Sequence, residues 1–312
     1  MTRKVPEIAF RLFKEENFHI ELWDHPLPPS KEELIQHCKK ADALLSMLSD
    51  ELDENFFEEC GHLKVVSNFA VGVNNIDLEA AAQRKIPVGN TPDVLTEATS
   101  DLALSLILAL TRNLLPSIKN AKEGGWKKWE PLGFLGMELK NKTLGIIGMG
   151  RIGQSLGKKA HYGFGMNIIF SSRSHHLDID PKFKQTSLQE LLQTSDVISL
   201  NTNLNPSTKN LISQKELNLM KKHAYLINTS RGEVIDQEAL VEALKSGCIS
   251  GAALDVTTPE PLAPEHPLYK TPNTIITPHI GSATKEAREK MASLAAKNII
   301  AGLKGLPLPA GV

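Results

Sequence analysis

The run Thr143-Leu144-Gly145-Ile146-Ile147-Gly148-Met149-Gly150-Arg151-Ile152-Gly153 constrains the fold more than any other stretch of the chain. A short apolar strand pattern ends in Gly-x-Gly-x-x-Gly and passes directly into helix-forming residues over 154–160. In that order each glycine has its own physical task. Gly148 permits a tight turn, Gly150 lets backbone approach a pyrophosphate, and Gly153 lets the helix pack on the strand with its N-terminus facing the phosphates. A bare triad also suits an ordinary strand–turn–helix junction, so its surroundings decide. A second apolar strand over 166–170 ends about twenty residues on, as a dinucleotide-binding βαβ unit requires.

An Asp or Glu after that second strand would accept hydrogen bonds from the ribose of NAD. The chain instead reads Phe170-Ser171-Ser172-Arg173-Ser174-His175-His176. An arginine pairs with a 2′-phosphate through charge-assisted hydrogen bonds, and the missing carboxylate removes a repulsion. The segment therefore favours NADP(H), with NAD(H) a less favoured possibility. The competing reading leaves Arg173 a solvated loop residue.

The glycines arrive almost halfway along 312 residues, so another unit precedes them. Residues 1–96 alternate between strand patterns over 20–23, 43–47, 63–69 and 86–88 and helix patterns over 31–40, 53–60 and 78–84. Thr99-Ser100-Asp101 reads as the cap of a helix over 102–112 that is apolar nearly all round, hence buried between domains or subunits. An irregular arm follows over 124–131. Further on, helices over 188–193, 214–220 and 237–245 alternate with strands over 197–200, 224–227, 251–254 and 274–276, the pattern of a doubly wound parallel sheet. The proline-rich stretch 259–267 reads as a rigid loop, and the helical pattern over 284–303 as a return to the first domain. The expected architecture is α/β, with two Rossmann-like or flavodoxin-like domains. A nucleotide-binding domain, 98–285, is inserted into a substrate domain formed by 1–97 and 286–312.

Charge narrows the partners. With 35 Lys and Arg against 36 Asp and Glu, nothing advertises a nucleic acid or an anionic membrane, and a small metabolite fits better. The longest apolar block, 102–110, is far too short to span a bilayer. Cys38, Cys60 and Cys248 are widely spaced in no metal-binding pattern, so no metal is expected and a reducing compartment is. The N-terminal residues lack the pattern of a secretory signal, giving a cytoplasmic expectation.

In open α/β sheets ligands bind beyond the carboxyl ends of the strands. The strand over 224–227 runs out into Asn228-Thr229-Ser230-Arg231-Gly232, and that over 251–254 into Asp255 and a loop bearing Glu260. The strand over 274–276 runs out into Thr277-Pro278-His279-Ile280-Gly281-Ser282. Singly, Arg231 can cap a turn, Glu260 can be solvated between its prolines, and His279 can bond to backbone. Together they supply what carbonyl reduction needs: a cation for carboxylate and carbonyl, a proton donor of near-neutral pKa, and a carboxylate that keeps the donor protonated.

These segments, together with Leu254-Asp255-Val256 and Pro259-Glu260-Pro261, closely resemble the D-isomer-specific 2-hydroxyacid dehydrogenases over nearly the whole chain. Phe69-Ala70-Val71-Gly72-Val73-Asn74-Asn75, Gly89-Asn90-Thr91-Pro92-Asp93-Val94-Leu95-Thr96 and the tail 298–309 are most similar to the glyoxylate/hydroxypyruvate reductases of that family. The resemblance implies that the amides of Val71 and Gly72 hold a substrate carboxylate, with Ser282 also on the substrate. Arg231 binds carboxylate and carbonyl, His279 donates the proton, and Glu260 raises the pKa of His279. Gly150, Arg151 and Ile152 meet the pyrophosphate, Gly148 and Gly153 belong to the same cofactor-binding turn, and Ser172 and Arg173 meet the adenosine 2′-phosphate. Asn203, Thr229, Asp255 and Gly281 complete the cofactor side, Asp255 also shaping the site. It further implies a homodimer through the nucleotide domain, with 102–112 and 126–134 at the interface.

The expected activity is NADPH-dependent reduction of glyoxylate or hydroxypyruvate to glycolate or D-glycerate. The alternatives are an NAD-linked dehydrogenase of another D-2-hydroxy acid, such as D-lactate or 3-phosphoglycerate, and a non-catalytic, corepressor-like dinucleotide sensor. Two departures from the family pattern stand out. Met1 directly precedes Thr2-Arg3-Lys4-Val5-Pro6, where relatives have an apolar strand, so either the start is misassigned or that sheet is short of a strand. Gly133 stands where close relatives carry a bulky aromatic, which implies a roomier pocket or Phe134 filling in.

Overall fold

Two packing units emerge from a computed structural model that describes residues 1–173 and 178–312. Ser174, His175 and His176, part of the adenosine-end segment discussed above, lie outside the described residues. One unit comprises Met1–Leu95 and Ser282–Val312, the other Thr96–Gly281. The cuts fall slightly before the expected 97/98 and 285/286. The first shift has a clear cause: the helix that starts at Thr96 packs on elements of the second unit.

The first unit contains α1 (Glu7–Glu15), α2 (Lys31–Cys38), β1 (Ala43–Ser46), α3 (Glu54–Glu59), β2 (Val65–Asn68), α4 (Leu78–Gln83), β3 (Val88–Gly89) and the closing helix α11 (Lys285–Leu303). Its sheet has the order β1-β2-β3, all parallel, with Leu44 beside Val66 and Val66 beside Val88. Every residue of β2 is buried, as expected of a parallel strand covered on both faces. Side-chain caps start the helices: Ser30 and Glu33 form a reciprocal capping box on α2, while Asp53 and Asp77 cap α3 and α4. The core on one side gathers Leu52, Phe56, Phe57, Val66 and Ile76, and α11 packs against α1, β1 and β2.

The expected strand over 20–23 is not part of the sheet. Trp23 donates its N–H to the Met1 carbonyl (2.9 Å), and Thr2 donates its own to the Leu45 carbonyl (3.3 Å). Met1 is thus hydrogen-bonded to 20–23 and Thr2 to β1, by bonds too few to build a ladder. Helix α1, which buries only Ala9 and Phe13, was not apparent in the apolar pattern.

The second unit contains α5 (Thr96–Thr111), α6 (Leu114–Lys122), β4 (Thr143–Ile147), α7 (Arg151–Lys158), β5 (Asn167–Ser171), β6 (Lys184–Gln185), α8 (Leu188–Thr194), β7 (Val197–Leu200), α9 (Gln214–Leu219), β8 (Tyr225–Asn228), α10 (Gln237–Lys245), β9 (Gly251–Leu254) and β10 (Thr274–Ile276). These strands form one parallel seven-stranded sheet in the order β10-β9-β8-β7-β4-β5-β6. Alternate residues serve opposite faces. Leu144, Ile146, Val197 and Ile227 pack with α5 and α7, whereas Ile147, Ile198, Leu200 and Leu226 pack with α8, α9 and α10. Strand order reverses at β4, whose neighbours β5 and β7 lead away in opposite directions, and such a switch point opens a crevice at the strands' carboxyl ends.

One cap expectation is overturned. Helix α5 begins at Thr96, so Thr99, Ser100 and Asp101 lie inside it, the first two of them buried. The Ser100 hydroxyl donates back to the Glu97 carbonyl (2.9 Å) and meets Ser155 Oγ at 2.9 Å. A hydroxyl that finds a carbonyl one turn back needs no helix end. Helix α6, also unanticipated, buries none of its residues. Among the described residues no single helix is long and apolar enough to cross a membrane. The pair α5 and α6, bent by 63°, passes that test together, but Leu106, Ile107 and Leu110 of α5 belong to the unit's core.

Candidate active site

The glycine turn sits at the carboxyl end of β4. Gly148 has φ +94°, and a Cβ there would lie 2.4 Å from the Asn201 carbonyl oxygen, so both conformation and space demand glycine. A Cβ on Gly153 would lie 2.3 Å from the Gly148 carbonyl oxygen, which ties the helix down onto the turn. Gly150 differs, because a Cβ there would meet nothing within 4 Å. The protein's own packing gives no reason for glycine at that position, whereas an approaching ligand would. Gly150 is also the N-cap of α7, and no side chain caps that helix end, where Arg151 and Ile152 are the first residues. Open space before an uncapped helix N-terminus suits a pyrophosphate.

Two further observations fit a bound dinucleotide. The buried Asn201 Oδ1 and Thr229 Oγ1, just beyond β7 and β8, have no hydrogen-bond partner among the described residues. Buried polar atoms are rarely left in that state, and a polar ligand is one remedy. Asn203 is exposed, its carbonyl accepting from Thr208 Oγ1 at 2.7 Å. Ser172 is half-buried, and the exposed Arg173 donates from Nη1 to Ser207 Oγ at 2.5 Å.

Three strand ends bring Arg231, Glu260 and His279 together. Asn228, the buried last residue of β8, clamps the Arg231 loop: its Nδ2 donates to the Arg231 carbonyl (2.8 Å) and its Oδ1 accepts from the N–H and hydroxyl of Ser230 (3.0 and 2.8 Å). A Cβ on Gly232 would stand 2.1 Å from the Thr257 carbonyl oxygen, so glycine lets this loop press against the segment that carries Glu260. There the Thr257 N–H donates to Glu260 Oε1 (3.1 Å), and Glu260 Oε2 lies 2.8 Å from His279 Nδ1. The His279 and Glu260 side chains are 27% and 30% exposed, partly desolvated yet reachable. Burial pulls the Arg231 guanidinium below its ordinary pKa, while the carboxylates of Glu260 and Glu233 act the other way.

Asp255 holds the histidine loop from beneath. It is only 1% exposed. Its Oδ1 accepts from Thr277 Oγ1 (2.6 Å) and the Ile280 N–H (2.8 Å), and its Oδ2 from the Gly281 N–H (2.8 Å). The Asp255 carbonyl accepts the His279 N–H at 3.0 Å. Burial raises the Asp255 pKa, against the lowering influence of these hydrogen bonds and of His279. His279 itself takes a left-handed backbone, φ 52°, a conformation in which histidine is enriched.

Val71, Gly72 and Ser282 belong to the first unit. The carbonyls of Val71 and Gly72 accept from Asn90 Nδ2 (2.8 Å) and Asn68 Nδ2 (2.9 Å), which fixes the peptide planes after β2. Asn228 and Asn68 were missed in the sequence, although an asparagine closing a buried strand is the one cue they offer. Among the described residues no group of three His, Cys, Asp or Glu side chains is placed to hold a metal ion.

Comparison with known proteins identifies the family. Residues 104–281 match the family model of the D-isomer specific 2-hydroxyacid dehydrogenase, NAD binding domain. The chain is 47% identical over 311 residues to a glyoxylate reductase of Thermococcus litoralis, covering 98% of this chain and 93% of the relative. A protein of Thermus thermophilus of known crystal structure superposes with a TM-score of 0.94 at 44% identity, covering 100% of this chain and 98% of that one. An NADPH-dependent glyoxylate/hydroxypyruvate reductase from Sinorhizobium meliloti, crystallised with NADP and malonate, superposes at 0.87 with 28% identity, covering 99% and 94%. The chain therefore belongs to the D-isomer-specific 2-hydroxyacid dehydrogenases, oxidoreductases that use a nicotinamide dinucleotide to interconvert 2-oxo and 2-hydroxy acids.

Proposed function

We propose that this enzyme reduces glyoxylate and hydroxypyruvate to glycolate and D-glycerate with NADPH. The observation that carries the reading is the His279–Glu260 contact, 2.8 Å at Nδ1, formed beside a half-buried Arg231. When bound, the cofactor supplies a hydride for the carbonyl carbon. With Nδ1 committed to Glu260, Nε2 of His279 is the nitrogen that gives its proton to the carbonyl oxygen. Arg231 binds the oxo acid and stabilises negative charge on that oxygen, an interaction that strengthens where water is excluded. The family resemblance also assigns the amides of Val71 and Gly72 and the hydroxyl of Ser282 to substrate binding. Preference for NADPH is supported by Arg173 and by the lack of a carboxylate over 170–173.

Oxidation of NADPH by the purified protein tests the proposal directly. Glyoxylate and hydroxypyruvate should each be reduced, and His279→Ala should lower kcat by about 100-fold or more. Undiminished turnover in that variant would sink the assignment. Tight dinucleotide binding without turnover of any 2-oxo acid would point to a sensor instead.

The reading includes a homodimer joined through the second unit. Supporting it, Trp126, Trp129 and Leu132 of the arm are 76%, 81% and 80% exposed, and α6 presents Leu114, Leu115 and Ile118 to solvent. Exposed apolar side chains in such number mark association surfaces.

A further inference from the structure

We infer that Ser207, held by Asn205, aims Arg173 at a phosphomonoester on the adenosine end of the dinucleotide, making the turn 205–207 a determinant of NADPH over NADH. The inference rests on the NADPH reading above and adds to it residues outside the strand-end segment where that specificity is usually sought.

Donor and acceptor accounting defines the arrangement. A serine hydroxyl has one proton to give and two lone pairs, whereas a guanidinium only donates. The Ser207 hydroxyl donates to Asn205 Oδ1 at 2.5 Å, and the Ser207 N–H donates to the same oxygen at 3.0 Å. With its proton committed, Ser207 Oγ faces Arg173 as an acceptor, at 2.5 Å from Nη1. Asn205 is anchored in turn. Its N–H donates to Thr208 Oγ1 at 2.8 Å, and the buried Thr208 hydroxyl reaches the Asn203 carbonyl at 2.7 Å. The acceptor that meets Arg173 therefore stands on a turn with little freedom.

An exposed arginine has many rotamers, and ordering them opposes ligand binding. A fixed acceptor on one nitrogen reduces that loss and leaves the other N–H groups of the fork for a phosphate. Topology places the contact usefully. Arg173 follows β5, Ser207 follows β7, and β4 with its glycine turn runs between those two strands. The pair therefore reaches across the carboxyl end of the strand whose turn fits the pyrophosphate. An ordinary surface contact, broken when ligand arrives, is the competing account.

Calorimetry on the full chain with 2′,5′-ADP and 5′-AMP separates the two, because these probes differ only in the 2′-phosphate. Wild-type protein should prefer 2′,5′-ADP. Ser207→Ala should weaken 2′,5′-ADP about 5- to 10-fold, the scale of one ordinary net hydrogen bond, and leave 5′-AMP nearly unchanged. Ser207→Thr, which keeps the hydroxyl, should restore the preference, and the ratio of KM values for NADPH and NADH should follow the same order. Should Ser207→Ala affect both probes equally, or neither, while Arg173→Ala selectively loses 2′,5′-ADP, the positioning role is overturned and the NADPH reading survives. If wild type binds both probes alike, or Arg173→Ala leaves the preference intact, the NADPH reading fails and this inference with it.

Discussion

Glu260 and His279 meet at 2.8 Å although 19 residues separate them in the chain, and this contact sets the orientation of the imidazole. Replacing the carboxylate with an amide of the same shape should therefore be informative. Glu260→Gln keeps the volume and removes the carboxylate charge that faces His279 Nδ1. We expect kcat to fall by about 10- to 100-fold, with a smaller change in KM for the oxo acid, in steady-state assays with NADPH. An unchanged kcat would show that the contact only packs the loop. These catalytic candidates were legible in the sequence because each follows an apolar strand, and parallel strands place all such endings along one edge. Asn228 and Ser207 were not legible: their contribution is made of turn hydrogen bonds, and Asn and Ser enter turns everywhere in proteins.

At the level of elements, the sheet is fastened at its opposite edge by Asp196. Its side chain, 9% exposed, accepts from the Thr143 N–H at the start of β4 (2.8 Å) and from Lys221 (2.9 Å) and His223 (3.0 Å) ahead of β8. Burial alone would raise the Asp196 pKa, but the bonds from Thr143, His223 and Lys221 outweigh it and the net shift is downward. A depressed carboxylate contributes stability that is present above its unfolded pKa, about 3.9, and is lost as pH falls through the folded value. Acid unfolding followed by circular dichroism should therefore steepen below about pH 4, and Asp196→Asn should flatten that dependence while costing about 1–3 kcal/mol at neutral pH. A variant with the wild-type acid profile would remove Asp196 from this role. Most element interiors were legible, and 237–245, 251–254 and 274–276 coincide with α10, β9 and β10. Boundaries failed where a side chain had an unforeseen partner. Ser100 looked like a helix start until Glu97 supplied a carbonyl, and 20–23 looked like a strand although only Met1 and its neighbours offered it backbone bonds.

For the whole molecule, the late arrival of the glycine run made the nested order of the two units readable, because a doubly wound sheet cannot begin so far before its own phosphate turn. The exposed arm was not readable in the same way, since tryptophans in a sequence do not say which side of a surface they occupy. Light scattering should give about twice the chain mass of 34.2 kDa. Trp129→Asp combined with Leu132→Asp should shift that mass toward one chain without unfolding the sheet. A single-chain mass for the wild type would remove the homodimer from the reading.

Arg231, Glu260, His279, Asp255 and the glycine turn all lie within one uninterrupted stretch, Thr96–Gly281. Crossing-over at the two unit boundaries would hand this stretch on intact. The proposed proton-transfer groups are thus encoded as a single genetic block.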